Sequence, residues 1–154
     1  MIDLLCELLP FSMQASPSRE SSANHGARHK SLKAWVACHE LVLAIYRGTR
    51  KWPNAEQYGL TSQARRSAYS AAANIAEGAA KCGTREFRRF LDISLGSLSE
   101  LSYIHQLGRE LGYLKPEEWG QVEALRDHAG RLTWGLYRVI DRTAIRPERR
   151  SSSS

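Results

Sequence analysis

Between Gln63 and Leu101 the chain reads QARRSAYSAAANIAEGAAKCGTREFRRFLDISLGSLSEL, two helical periodicities set back to back across a short break, Gly78 to Thr84. In the first, Leu60, Ala64, Ala68, Ala71, Ala72, Ile75 and Ala79 recur at three- and four-residue steps, the apolar side of a helix. So many alanines let a neighbouring backbone come close. In the second, Phe87, Phe90, Leu91, Leu95, Leu98, Leu101, Ile104 and Leu111 cover more than one helix face. A small-faced helix followed at once by a bulky one predicts a helical hairpin, and the wide apolar surface of its second arm suits contact with another subunit.

The remaining chain supplies two more helices. Leu32, Trp35, Val36, His39, Val42, Leu43 and Tyr46 form one stripe of a helix over 31–51, with Ser31 as N-cap and Trp52-Pro53 as its stop. Residues 53–59 connect it to a helix over 60–79. Gly78 and Gly83 bracket the break, Thr84 caps the third helix, and Gly112 closes it as the C′ residue. Pro116 suits a first helical turn, and Val122, Leu125, Ala129, Leu132, Leu136 and Val139 repeat as a seam. Four helices of about 20 residues with short loops predict an all-α, antiparallel up-down four-helix bundle over 31–143 that assembles as a homo-oligomer. Residues 1–30, rich in Ser, Ala and charge, are expected to be disordered, and 144–154 to be a flexible basic and serine tail.

Composition excludes several function classes. No apolar run reaches the length of a membrane span, and Asp3 and Glu7 break the apolar N-terminus, which argues against a secretory signal. Cys6, Cys38 and Cys82 share no metal-ligand spacing and are expected to be free thiols in a reducing cytoplasm. No Ser, His and Asp fall in a nucleophile context, and GAAKCGT at 78–84 lacks the lysine and preceding strand of a phosphate-binding loop. His39 and His105 lie on or near apolar stripes and read as packed. No metal, cofactor or catalytic constellation is expected. The net charge of +6 permits attraction to polyanions without requiring it.

Two sets of side chains stand out. Lys81, Arg85, Arg88 and Arg89 surround the turn between the second and third helices, where a helix N-terminus adds its own positive end. Arg142, Arg146, Arg149 and Arg150 form a second basic patch. Both are candidate nucleic-acid contacts; the bland reading is a solvated face with Glu–Arg pairing. The other set is polar and mid-helix: Arg65, Arg66, Asn74, Glu77 and Glu100. Folding the hairpin back on itself brings Arg65 or Arg66 level with Glu100, and Glu77 near Arg88, as register-setting ion pairs or as part of a ligand or RNA site. Asn74 and Ser70 are mediocre helix formers, so their mid-helix position points to side-chain work. Asn74 with Glu77 makes a poor metal site, with no second acid one turn away.

Several segments together carry a family likeness. They are Leu32-x-x-Trp35 with Ala37, Ile45-Tyr46-x-x-Thr49, Trp52-Pro53, and Glu56-x-Tyr58-Gly59-Leu60-x-x-Gln63-x-Arg65-Arg66. Asn74-Ile75-Ala76-Glu77-Gly78, Glu86-Phe87, Phe90-Leu91, Leu95-Gly96-Ser97 with Glu100-Leu101, and Leu111-Gly112-Tyr113 complete them. Over roughly residues 31–142 the chain resembles the 23S rRNA intervening-sequence protein family, and is similar to the accessory variability determinants of diversity-generating retroelements. Trp52 stands where Phe is usual, and residues 1–30 have no counterpart. The resemblance implies a ring-shaped homopentamer of four-helix bundles and no enzyme. RNA or DNA contact through a basic surface and a reverse transcriptase partner are implied as possible roles.

Overall fold

The computed structural model describes residues 28–145. Among them are four α-helices and no strand: α1 Lys33–Gly48, α2 Leu60–Ala80, α3 Thr84–Glu110 and α4 Pro116–Ile145, with short 3₁₀ turns at Arg28–Ser31, Thr49–Lys51 and Asn54–Glu56. No helix of the described residues is long and apolar enough to cross a membrane. α2 packs most extensively on α3, α3 on α4, and α1 lies against both α4 and α2.

The ends of the helices follow local chemistry. Ser31 is not the N-cap of α1: its hydroxyl donates to the Arg28 carbonyl at 2.9 Å within the preceding turn, and Leu32 takes the cap position. α1 stops at Gly48, earlier than expected, and the chain tightens into the 3₁₀ turn before Trp52 goes extended ahead of Pro53. Thr84 is the first residue of α3 rather than its cap. Gly83 holds that place at φ 141°, a conformation a side chain would strain. Gly112 (φ 76°) is the C′ residue of α3: its N–H donates to the Arg109 carbonyl at 3.0 Å, and the Tyr113 N–H to the Gly108 carbonyl at 2.8 Å, a Schellman closure.

The small side of α2 is buried as its periodicity predicts, with Ala64, Ala68, Ala71, Ala72, Ile75 and Ala79 in the core. Against it α3 sets Phe87, Leu91, Leu98, Leu101 and Ile104. Two serines work between them: Ser94 donates to the Ala71 carbonyl at 2.8 Å, and Ser97 lies 2.8 Å from the Ser70 hydroxyl. Gly78 is not part of the break. It sits inside α2, which runs on to Ala80, and a Cβ there would fall 2.6 Å from Phe87 Cδ2 and 2.8 Å from Phe90 Cβ. Its glycine is demanded by the approach of α3, not by a turn.

α1 buries its expected stripe only in part: Leu32, Trp35 and Val42 pack against the core from its margin. The core side is Ala34, Ala37, Cys38, Leu41 and Ile45, while Val36, Leu43 and Tyr46 stand exposed and His39 stacks on Trp35 at the surface. α1 is therefore apolar on two faces. On α4, Ala129 is buried and Val122, Leu125, Leu132 and Leu136 pack on the core, but Val139 is exposed and Thr133 and Ile140 are buried instead. The Cys38 thiol lies 3.7 Å from the Thr133 hydroxyl, and burial pushes its pKa up to about 11. Cys82 is an exposed free thiol, and Cys6 lies outside the described residues.

Gly78→Ala is expected to destabilise the fold by about 1–3 kcal/mol, although alanine is the better helix former, because the core is overpacked at that point. Gly130→Ala, where a Cβ meets nothing within 4 Å, is expected to be neutral or stabilising. Urea midpoints of the two variants check both outcomes.

Candidate nucleic-acid interface

The basic corner is built where α2 ends, α3 begins and α4 ends. Lys81 follows the last residue of α2; Arg85, Arg88 and Arg89 occupy the first turns of α3, whose N-terminus carries partial positive charge. Arg88 Nη1 donates to Asp141 Oδ1 of α4 at 2.7 Å, which keeps the guanidinium still more firmly protonated. An open groove of about 540 Å³ is lined by Arg85, Arg88, Arg89, Asp92 and Ala144. Arg142 is exposed one residue beyond Asp141, so the two basic patches share one end of the fold at this position. Arg146, Arg149 and Arg150 lie outside the described residues.

Acids temper this corner. Lys81 Nζ is 3.9 Å from Glu77 and Arg89 Nη2 is 3.4 Å from Glu86, both within one helical turn. Lys81 and Arg89 also flank the Phe90 ring, 5.8 Å and 4.9 Å from its centroid. Arg85 and Arg142 make no ion pair among the described residues. Five cations, Lys81, Arg85, Arg88, Arg89 and Arg142, thus face four carboxylates, Glu77, Glu86, Asp92 and Asp141. A single copy has a weak positive field, and exposed pairs of this kind contribute little to stability.

The expected register-setting pairs do not form. Neither Arg65 nor Arg66 meets Glu100, which is exposed and unpaired among the described residues, and Glu77 meets Lys81 rather than Arg88. The reason is angular: Arg66 and Glu100 both point outward from their helices, while Arg65 turns toward the end of α1. There Arg65 Nε donates to Thr49 Oγ1 at 2.9 Å and the guanidinium lies over the Tyr46 ring, 5.2 Å from its centroid. Asn74 bonds within α2, donating to the Ser70 carbonyl at 2.8 Å and to its hydroxyl at 3.1 Å. The cross-helix polar contact is therefore made by hydroxyls, Ser70, Ser94 and Ser97. The three- and four-residue spacing of small polar residues along apolar stripes was the available signal for them.

A second polar group was not anticipated. His105 is 2% exposed, with Nδ1 3.4 Å from Glu123 Oε2 and its ring stacked on Trp119 at 6.1 Å. Arg126 binds the other Glu123 oxygen at 2.5 Å and also contacts Asp127, and Arg109 lies 4.5 Å above Trp119. Burial lowers the His105 pKa, and Glu123 only partly offsets that. Burial also pushes the Glu123 carboxyl up, but the Arg126 guanidinium outweighs it and the net shift is down. Among the described residues no group of three His, Cys, Asp or Glu is placed to hold a metal.

A family model described as 23S rRNA-intervening sequence protein matches residues 30–135, more than half of the chain. The matched span holds α1, α2, α3 and most of α4, and includes Lys81, Arg85, Arg88 and Arg89 but not Arg142. No curated protein matches the chain.

His105 generates a pH dependence of known sign. Its folded pKa is below the ordinary 6.5, so the unfolded chain takes up the proton first and stability falls as pH drops below about 6.5. Glu123 is depressed from 4.5, so its contribution is lost only at lower pH. Urea midpoints between pH 7 and 5 should decline, and His105→Gln should flatten that segment of the curve while leaving the decline below pH 4.5.

Proposed function

This chain belongs to the 23S rRNA-intervening sequence protein family, and we propose that it is a non-enzymatic scaffold that binds RNA or DNA electrostatically as a homo-oligomer, a pentamer on the family likeness. The observation that carries the reading is the meeting of Arg85, Arg88 and Arg89 with the end of α4 at the positive N-terminus of α3. Lysines and arginines there neutralise phosphates, releasing counterions. One copy has a small positive excess at this corner. Repetition around a symmetry axis multiplies it, and linked weak contacts add through effective concentration.

Two further observations support assembly. α1 exposes Val36, Leu43 and one side of Tyr46, whose ring Arg65 of α2 covers on the other, and α2 and α3 expose Tyr69, Ile93 and Tyr103. Apolar surface of this kind is what joined copies cover. The up-down antiparallel arrangement is supported by paired contacts: residue 70 meets 97, 71 meets 94, and 78 meets 87 and 90, so partners on α3 descend as those on α2 rise. The second reading is a protein–protein adaptor, for example for a reverse transcriptase, working from those same exposed aromatic side chains rather than from the basic corner.

Light scattering is expected to give a mass several times that of one 17.3 kDa subunit. Retention of RNA should weaken steeply as salt rises. The variant Arg85→Ala/Arg89→Ala should lower affinity and flatten the salt slope by about two phosphate contacts per copy. No retention at low salt would overturn nucleic-acid binding; salt-insensitive capture of a protein partner would favour the adaptor.

A further inference from the structure

About 16 residues before Lys81 along α2, hence roughly 24 Å away on the helix axis, the chain forms a second positively charged feature of a different kind. The 3₁₀ turn after α1, the connection to α2 and the first turns of α2 border an open hollow of about 240 Å³. Thr49, Arg50, Asn54, Gln57, Thr61 and Arg65 line it, with Trp52 beside them, and no Asp or Glu does. Its walls carry hydrogen-bond donors: the Arg50 and Arg65 guanidiniums, the Asn54 and Gln57 amides and the Thr61 hydroxyl.

Arg65 is held before any ligand arrives. Thr49 is 4% exposed and donates to the Ile45 carbonyl at 2.8 Å, so its oxygen is fixed to receive Arg65 Nε at 2.9 Å. That bond and the Tyr46 ring orient the guanidinium and leave its four Nη–H donors without an acceptor among the described residues. Trp52 is buried, and its Nε1–H likewise has no acceptor. The nearest carboxylate in sequence, Glu56, is engaged elsewhere, taking the Leu60 N–H at 2.9 Å and the Tyr113 hydroxyl at 3.2 Å. Lys51 turns away to Glu118 at 2.5 Å.

The geometry points to this cavity as a binding site for one phosphoryl group, carried by a small phosphorylated molecule or by the terminal phosphate of a polynucleotide. A fixed guanidinium with open Nη–H donors matches a tetrahedral oxyanion, and the exposed Arg50 beside it adds a second positive charge. The volume is below the roughly 300 Å³ where pockets for whole small molecules begin, so it fits a phosphoryl head and leaves the rest of the ligand outside.

The test follows the Trp52 indole N–H signal of the full chain by NMR, assigned with Trp52→Phe. The probes are inorganic phosphate, AMP, and one RNA oligomer with and without a 5′-phosphate. A saturable shift that Arg50→Ala and Thr61→Val weaken about tenfold, and Arg85→Ala leaves unchanged, is the expected result. Arg65→Gln should abolish the shift; Arg50 is exposed, so its variant keeps the test decisive if Arg65→Gln fails to fold. A shift with phosphate or AMP assigns a small-molecule source, and a shift only with the 5′-phosphorylated oligomer assigns a polynucleotide end. No shift with any probe, or a shift lost equally in Arg85→Ala, overturns the site. Loss of RNA binding at the α3 corner alone would leave the cavity result standing.

Discussion

α2 and α3 can lie close together only because one of them has almost no side chains on the facing side. Ala64, Ala68, Ala71, Ala72 and Ala79 present little more than backbone, and Gly78 presents nothing at all beneath Phe87 and Phe90. Close backbones bring carbonyls and hydroxyls within reach, which is why Ser94 can bond the Ala71 carbonyl across the interface. Each alanine buries little area, so the bulky partners on α3 carry most of the hydrophobic gain. The small face sets the distance and the large face supplies the energy.

Periodicity made this pair legible before any coordinates, because a helix lined with alanine has only one apolar side. α1 was harder to read. Of its expected stripe, Leu32, Trp35 and Val42 pack at the margin of the core and Val36, Leu43 and Tyr46 are exposed, while the centre is taken by Ala34, Ala37, Cys38, Leu41 and Ile45. A helix with two apolar faces has no unique inward direction in its own sequence; the neighbours decide. The ion pairs failed for a related reason. Levelling Arg66 with Glu100 used height along the helices and ignored angle around them, and both side chains point outward. Thr49 as the partner of Arg65 has no signature in spacing, since it lies in the 3₁₀ turn after α1 and an irregular connection separates it from α2.

The two ends of α2 use positive charge differently. At its C-terminal end the cations are exposed and mostly matched by acids, so their effect depends on number and on salt. At its N-terminal end Arg65 is half-buried and fixed by Thr49 and Tyr46. Charge number distinguishes one end and fixed geometry the other, with the length of α2 between them.

The bond between Arg88 and Asp141 joins the first turns of α3 to the last turns of α4. Only one of the five guanidinium N–H groups is spent on that carboxylate, so the same side chain ties α4 down and still has donors directed elsewhere. Arg88 is thus a clasp between the start of one helix and the close of the next, and its loss would loosen the end of α4 before the rest of the bundle.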